Sequence, residues 1–185
     1  DNQLSALVFI GNTPWLLDEL KSRGFFTREW LVGFERQGTH MPEVPAQAYA
    51  DLRPVHFSDL SALLELDDLA FEHIWHKSAS SFNEAMARAA SFTVAVAEGR
   101  IVAYQWCELY DKHAHLTRLA VHPEFQGRGI GAQLLYQTIA DAINLGADLI
   151  TLNTQETNQR SQLLYERYGF VNTRQRMPVL WLNLI

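Results

Sequence analysis

The sequence predicts a mixed α/β sandwich built around one sheet. Two observations carry that prediction. Strand-type and helix-type hydrophobic periods follow one another along the chain, and Gly, Pro and Asn stand where one period gives way to the next. The bulk fits: 185 residues, 48% hydrophobic and 19% charged, suffice for one full domain and an extra piece.

The elements read in order as follows. Residues 1–41 form a strand–helix–strand segment, with "ALVFIG" as a β-rich run and a helix-like stretch ending near Gly24. Residues 42–48 fall in "QGTHMPEVPAQ", which has two prolines, a glycine and no period, and so read as a linker. The main domain is 49–185. It opens with a short strand, "AYADLRPVH". "SDLSALLELDDLAFEHIW" reads as one helix with Ser58 as N-cap. "SFNEAMARAA" carries a capping box, Ser81 with Glu84 three residues later. Two β-rich runs around Glu98-Gly99 make a hairpin, and "HAHLTRLAVHP" is a strand stopped by Pro123. Ile130, Leu134, Leu135, Thr138, Ile139, Ala142 and Ile143 keep a helical period that Gly146 ends. "LITLNT" is a buried-type strand. Asn158 caps a helix that Gly169 closes. "FVNTRQ" and "VLWLNLI" are two closing strands.

The first segment resembles the tail of the chain. "LKSRGFFTREWLVGF" reads like "LYERYGFVNTRQRMPVLWLNL", with the Gly-Phe pairs at Gly24 and Gly169, 145 residues apart. That suggests a degenerate partial copy. Two unrelated strand–helix–strand units with glycine C-caps give the same pattern.

Composition removes several classes. A formal net charge of −6 argues against a nucleic-acid partner. No apolar run approaches the roughly 18 residues of a membrane span. The first residues lack a basic n-region, so no signal peptide is visible and a cytoplasmic protein is expected. Cys107 stands alone, which leaves no disulfide and no cysteine metal site; it reads as a small buried hydrophobe. His73 and His76 sit three apart on the expected helix, but no third ligand is evident, and no metal is expected.

The stretch "HPEFQGRGIGAQLL" is the least ordinary. It places glycines at 127, 129 and 131, at the start of a long helix. A helix N-terminus exposes unpaired N–H groups with partial positive charge, and glycines let an anion come close. Gln126 to Gly131 can therefore cradle a phosphate, with Arg128 adding charge. From spacing alone a tight turn with packing glycines fits as well. A P-loop would need Gly-Lys-Ser/Thr, where Ile130-Gly131-Ala132 stands. A dinucleotide fingerprint would need an acidic residue roughly 20 positions on, and "LITLNT" supplies none.

Gln126-x-x-Gly129-x-Gly131, with "N-x-x-S-x-x-L-Y-x-x-x-G-F" from Asn158 to Phe170, resembles the acetyl-CoA signature of the GNAT superfamily of N-acetyltransferases. The resemblance spans about Tyr49 to Ile185. It implies a mostly antiparallel central sheet flanked by helices, with acetyl-CoA as cofactor and an amine acceptor, and it allows a homodimer. It implies that Gln126, Gly127, Arg128, Gly129, Ile130 and Gly131 hold the CoA pyrophosphate. Backbone groups of Leu119, Ala120 and Val121 would pair with the pantetheine arm, and the amide after Leu119 would polarise the thioester carbonyl. Asn158 and Ser161 would line the arm, with Tyr165 on the same helix face. Leu164 and Tyr168 would point to the core.

Tyr165 is the expected acid toward the departing thiolate. The base is less regular. Many relatives place a Glu where this chain has Asn153, and an amide takes no proton. His115 is the substitute, with Glu108, Asp111 and His113 as competitors; a histidine titrates near 6.5. Phe71 and Trp75, with Asn153, would wall the amine pocket. The expected activity is direct acetyl transfer to a primary amine, on a small molecule or a protein N-terminus. A non-catalytic acyl-CoA-binding sensor or assembly module is the alternative.

Overall fold

The computed structural model describes residues 5–45 and 49–184, so residues 46–48 of the expected linker lie outside the described residues. Its strands are β1 (Ala6–Ile10), β2 (Phe26–Gln37), β3 (Asp51–Pro54), β4 (Ser91–Ala97), β5 (Arg100–Tyr110), β6 (His113–Val121), β7 (Leu149–Gln155) and β8 (Val171–Asn183). Its helices are α1 (Pro14–Ser22), α2 (Leu60–Ala70), α3 (Ala79–Arg88), α4 (Ile130–Asn144) and α5 (Gln159–Arg167). One eight-stranded sheet runs β1-β8-β2-β7-β6-β5-β4-β3. Every pairing is antiparallel except β6 with β7. The mixed, mostly antiparallel sheet flanked by helices is the expected fold.

The core follows from the apolar periods. Leu135, Ile139 and Ala142 of α4 pack with Leu116 of β6, Ile150 and Leu152 of β7, and Val32 and Phe34 of β2. Leu135 is fully buried, so Leu135→Ala should cost about 2–5 kcal/mol through the lost contacts and the cavity. On the other side α2 and α3 cover Tyr104 and Trp106 of β5 through Leu63, Leu66 and Phe82.

Four local expectations are corrected. The helix from Ser58 starts later and stops at Ala70, where Phe71 turns extended (φ −129°, ψ 159°). His73 to Trp75 form a separate 3-10 turn, so His73 and His76 do not share a helix. The next helix is capped by Ser78, which accepts from the Ser81 amide at 3.2 Å; Glu84 instead pairs with Arg88 at 3.2 Å. The two closing strands are one, β8. It does not return on itself as a hairpin, because β2 occupies the place beside it.

β2 sits between β7 and β8, pairing with β8 from Phe26 to Glu35 and with β7 from Leu31 to Gln37. β8 in turn lies between β2 and β1. Each unit thus lends its last strand to the other's sheet. Arg36 of β2 is buried, and its Nε donates to the Tyr168 carbonyl at 3.1 Å. That carbonyl stands at the open C-terminal end of α5, so the bond ties the first segment to that helix.

Candidate active site

β6 and β7 run parallel and pair only from His113–Leu149 to Leu116–Leu152. Beyond that they part. From Arg118 to Val121, β6 keeps its bonds to β5 but, among the described residues, has no strand on its other edge. A row of free backbone donors and acceptors therefore faces a groove of about 350 Å³. The groove reaches from Phe71 past Leu119, Ala120 and Val121 to the start of α4 and the inner side of α5.

At the α4 end, Gly127 (φ 82°) and Gly129 (φ 83°) are left-handed, a conformation that favours glycine. A Cβ on Gly129 would also lie 2.7 Å from the Tyr49 ring. Gly129 is the N-cap, no side chain caps the helix, and its first turn holds no acidic residue. Among the described residues, no side chain competes for the first-turn N–H groups. Gln126, Gly127, Gly129, Ile130 and Gly131 all line the groove. Arg128 does not. Its guanidinium lies over the Phe125 ring, 4.6 Å from the centroid, and 3.6 Å from Glu98, lining a different hollow. Arg160 takes its place: it lines the groove and donates to Gln126 Oε1 at 3.0 Å.

α5 supplies the far wall. Asn158 caps it, Oδ1 accepting from the Ser161 amide at 3.2 Å, and both residues line the groove. Leu164 lines it too, contrary to the expectation that it points to the core. Tyr165 is buried instead, its ring 5.9 Å from Phe34 and 6.0 Å from Phe170. Its hydroxyl meets the Ser161 side chain, and burial pushes its pKa up to about 12. Tyr165 thus reaches the groove through Ser161 and stays protonated at any physiological pH.

The opposite face of the sheet holds the other candidates. His115 stands one residue before β6 and β7 part, paired with Thr151. Thr151 Oγ1 lies 2.8 Å from His115 Nδ1 and 2.6 Å from His113 Nε2. His115 is held below its ordinary value by burial first and by His113 second, with Glu108 opposing. It is therefore neutral, and able to accept a proton, at pH 7. Asn153 is exposed and sits across from Gly33 of β2. A Cβ on Gly33 would come within 2.9 Å of Thr173 Oγ1, so glycine there lets the strands close without covering Asn153.

Phe71 and Trp75 are set by a buried cation. Arg118 bonds Asp67 at 2.6 Å, donates to the Trp75 carbonyl at 2.7 Å, and lies under the Phe71 ring at 3.5 Å. Tyr104 donates to the same carboxylate. Phe71 lines the groove; Trp75 does not. Trp75 lies beside Glu29 of β2, whose carboxyl is raised by burial and by nearby Glu72. Arg28 pairs with Glu72 at 3.1 Å. Cys107 is buried, its thiol pushed up to about 12, and it packs as a hydrophobe.

Sequence reasoning missed Arg160, Glu29 and Thr151. Arg160 carried a faint signal, two residues past an N-cap that lines the same groove as the glycines. Glu29 and Thr151 carried none, because their roles depend on strand register.

Comparison with known proteins gives a consistent picture. The family model described as acetyltransferase (GNAT) family matches residues 60–170. Mycothiol acetyltransferase of Propionibacterium freudenreichii subsp. shermanii is 31% identical over 145 residues, covering 71% of this chain and 44% of that protein. The L-amino acid N-acyltransferase of Escherichia coli is 37% identical over 79 residues, covering 40% of this chain and 45% of that one. A GCN5-related N-acetyltransferase from Sphaerobacter thermophilus shares the fold, with a TM-score of 0.74 at 16% identity, over 96% of this chain and 59% of that one. The chain spans about half the length of the relatives named first.

Proposed function

Because the chain belongs to the acetyltransferase (GNAT) family, we propose that it is an acetyl-CoA-dependent N-acetyltransferase acting on a primary amine. One observation carries the reading: the parted strands β6 and β7 open a single groove from an uncapped glycine helix start to Asn158 and Ser161 of α5. Relatives named mycothiol acetyltransferase and L-amino acid N-acyltransferase support acyl transfer to an amine.

The residues divide the work. Acetyl-CoA supplies an activated acyl group and a thiol that leaves. The first-turn amides of α4, with Arg160 at the rim, hold the pyrophosphate. The free edge of β6 takes the pantetheine arm as an added strand, and the amide after Leu119 polarises the thioester carbonyl. The amine meets the thioester carbon at roughly 3–3.5 Å, held by the walls of the site. His115 takes the proton the amine loses. Tyr165, at about 12 against roughly 8.5 for a thiol, remains protonated and supports the sulfur by hydrogen bonding, with Ser161 beside it. Glu29 and Glu72 outnumber Arg28 at the outer wall, which suits a cationic acceptor.

We also propose that residues 1–41 are the degenerate C-terminal half of a domain of the same fold. α1 and α5 each have nine residues and start 145 apart, at Pro14 and Gln159. β2 and β8 also start 145 apart, at Phe26 and Val171. Among the described residues no helix is long and apolar enough to cross a membrane, which agrees with the cytoplasmic site we propose.

The test is thiol release from acetyl-CoA against a panel of amino acids, amino sugars and peptides, with product mass as the second readout. Release with at least one amine and an acetylated product supports the enzyme. CoA binding without release for any amine supports a binding module instead.

A further inference from the structure

Thr151 has one hydroxyl proton and two lone pairs, and it stands between two imidazoles. It can donate to only one of them, so the other ring must donate an N–H to its oxygen. Both contacts, 2.6 Å to His113 Nε2 and 2.8 Å to His115 Nδ1, are of hydrogen-bond length, so Nδ1 of His115 is engaged and a base at His115 acts through its other nitrogen, Nε2, which must then be bare. Among the hydrogen bonds of the described residues, none uses His115 Nε2.

We propose that Thr151 and His113 are positioning residues that lock His115 in the tautomer with its proton on Nδ1 and a bare Nε2. The proposal rests on the reading of His115 as the base, and it says which nitrogen acts. A free neutral imidazole prefers its proton on Nε2, the form in which that nitrogen cannot accept. The lock reverses this preference. When Nε2 takes the amine's proton, Nδ1–H keeps its bond to Thr151, so the imidazolium is formed without losing a partner. Other groups face the cluster. Glu108 of β5 pairs across from His115 and Tyr110 from His113, while Glu35 of β2 pairs across from Thr151. Lys77 lies near Glu108. Glu108 also accepts from the Tyr110 hydroxyl at 2.5 Å, so its charge favours the imidazolium without choosing the tautomer.

Nitrogen-15 NMR of the histidine rings at pH 8 reads the tautomer directly. The wild type should show His115 protonated on Nδ1. Thr151→Val, which keeps the shape and removes the hydroxyl, should move the proton to Nε2 and lower kcat by about tenfold or more, with KM for acetyl-CoA unchanged. Thr151→Ser should keep the wild-type tautomer and stay within about twofold in rate, which separates the lock from simple packing. A wild-type His115 protonated on Nε2, or a tautomer that Thr151→Val leaves alone, overturns the proposal. His115→Gln tests the reading beneath it: an unchanged kcat removes His115 as base, while the tautomer still decides whether the lock exists.

Discussion

The two strand–helix–strand units of this chain share a frame and differ in what stands on it. β1–α1–β2 and β7–α5–β8 have helices of equal length, each followed by a left-handed glycine, Gly24 or Gly169. Each sends its last strand into the other's sheet. Yet Asn158 caps α5 with its side chain and Thr13 does not cap α1. Counting 145 back, Ser161 corresponds to Leu16 and Tyr165 to Leu20. α1 buries no residue fully, whereas α5 buries Tyr165. The frame is a way of making sheet; the chemistry rests on a few side chains set upon it.

The comparison can be broken at several points. Tyr165→Phe should lower kcat at least tenfold through loss of the hydroxyl that supports the departing sulfur, while KM for acetyl-CoA holds. Its counterpart Leu20→Ala should leave kcat unchanged. Equal loss in both would mean the units matter as scaffold alone.

Glycines sharpen the same contrast. Gly129→Ala puts a side chain at φ 83° and 2.7 Å from Tyr49. It should cost about 1–2 kcal/mol of stability and raise KM for acetyl-CoA several-fold, read by thermal melts and steady-state kinetics. Gly24→Ala, at φ 92° with only Leu182 near at 3.6 Å, should cost about 1 kcal/mol and leave KM alone.

The two arginines give a smaller effect. Arg160→Ala should raise KM for acetyl-CoA about three- to tenfold, an effect that salt reduces. Arg128→Ala, directed at Glu98, should change it by less than about twofold. The reverse order would put the cradle on the wrong side of Gly127.

A pH profile isolates the base. His115 is lowered below 6.5, so activity should fall as pH drops through that depressed value, where the ring becomes protonated and can no longer accept. His115→Gln should lose that acidic limb. A limb that stays, at the same pH, assigns it to another group.

The sequence made the second unit legible because its signals are local. Three glycines, an Asn cap and a helical period need only neighbours along the chain. Where partners are distant, local reading failed. The period of α2 continues through Phe71 and Trp75, but Asp67 spends its carboxylate on Arg118, Tyr104 and the Lys77 amide, and the chain turns away. Pro178 reads as a break between two strands, yet β8 continues through it, one residue outside the span that β1 pairs. Arg128 looked like the phosphate ligand because it stands among the glycines; Glu98, at a hairpin turn, holds it elsewhere. Gly33, Glu29 and Thr151 reach the site only through the register of β2 and β7.

The claim that one unit of the pair carries the site is tested most directly by calorimetric titration of the chain with CoA. One site per chain is expected, weakened several-fold or more in Gly129→Ala and unchanged in Gly24→Ala. Two sites per chain, or one that survives Gly129→Ala and disappears in Gly24→Ala, would contradict it.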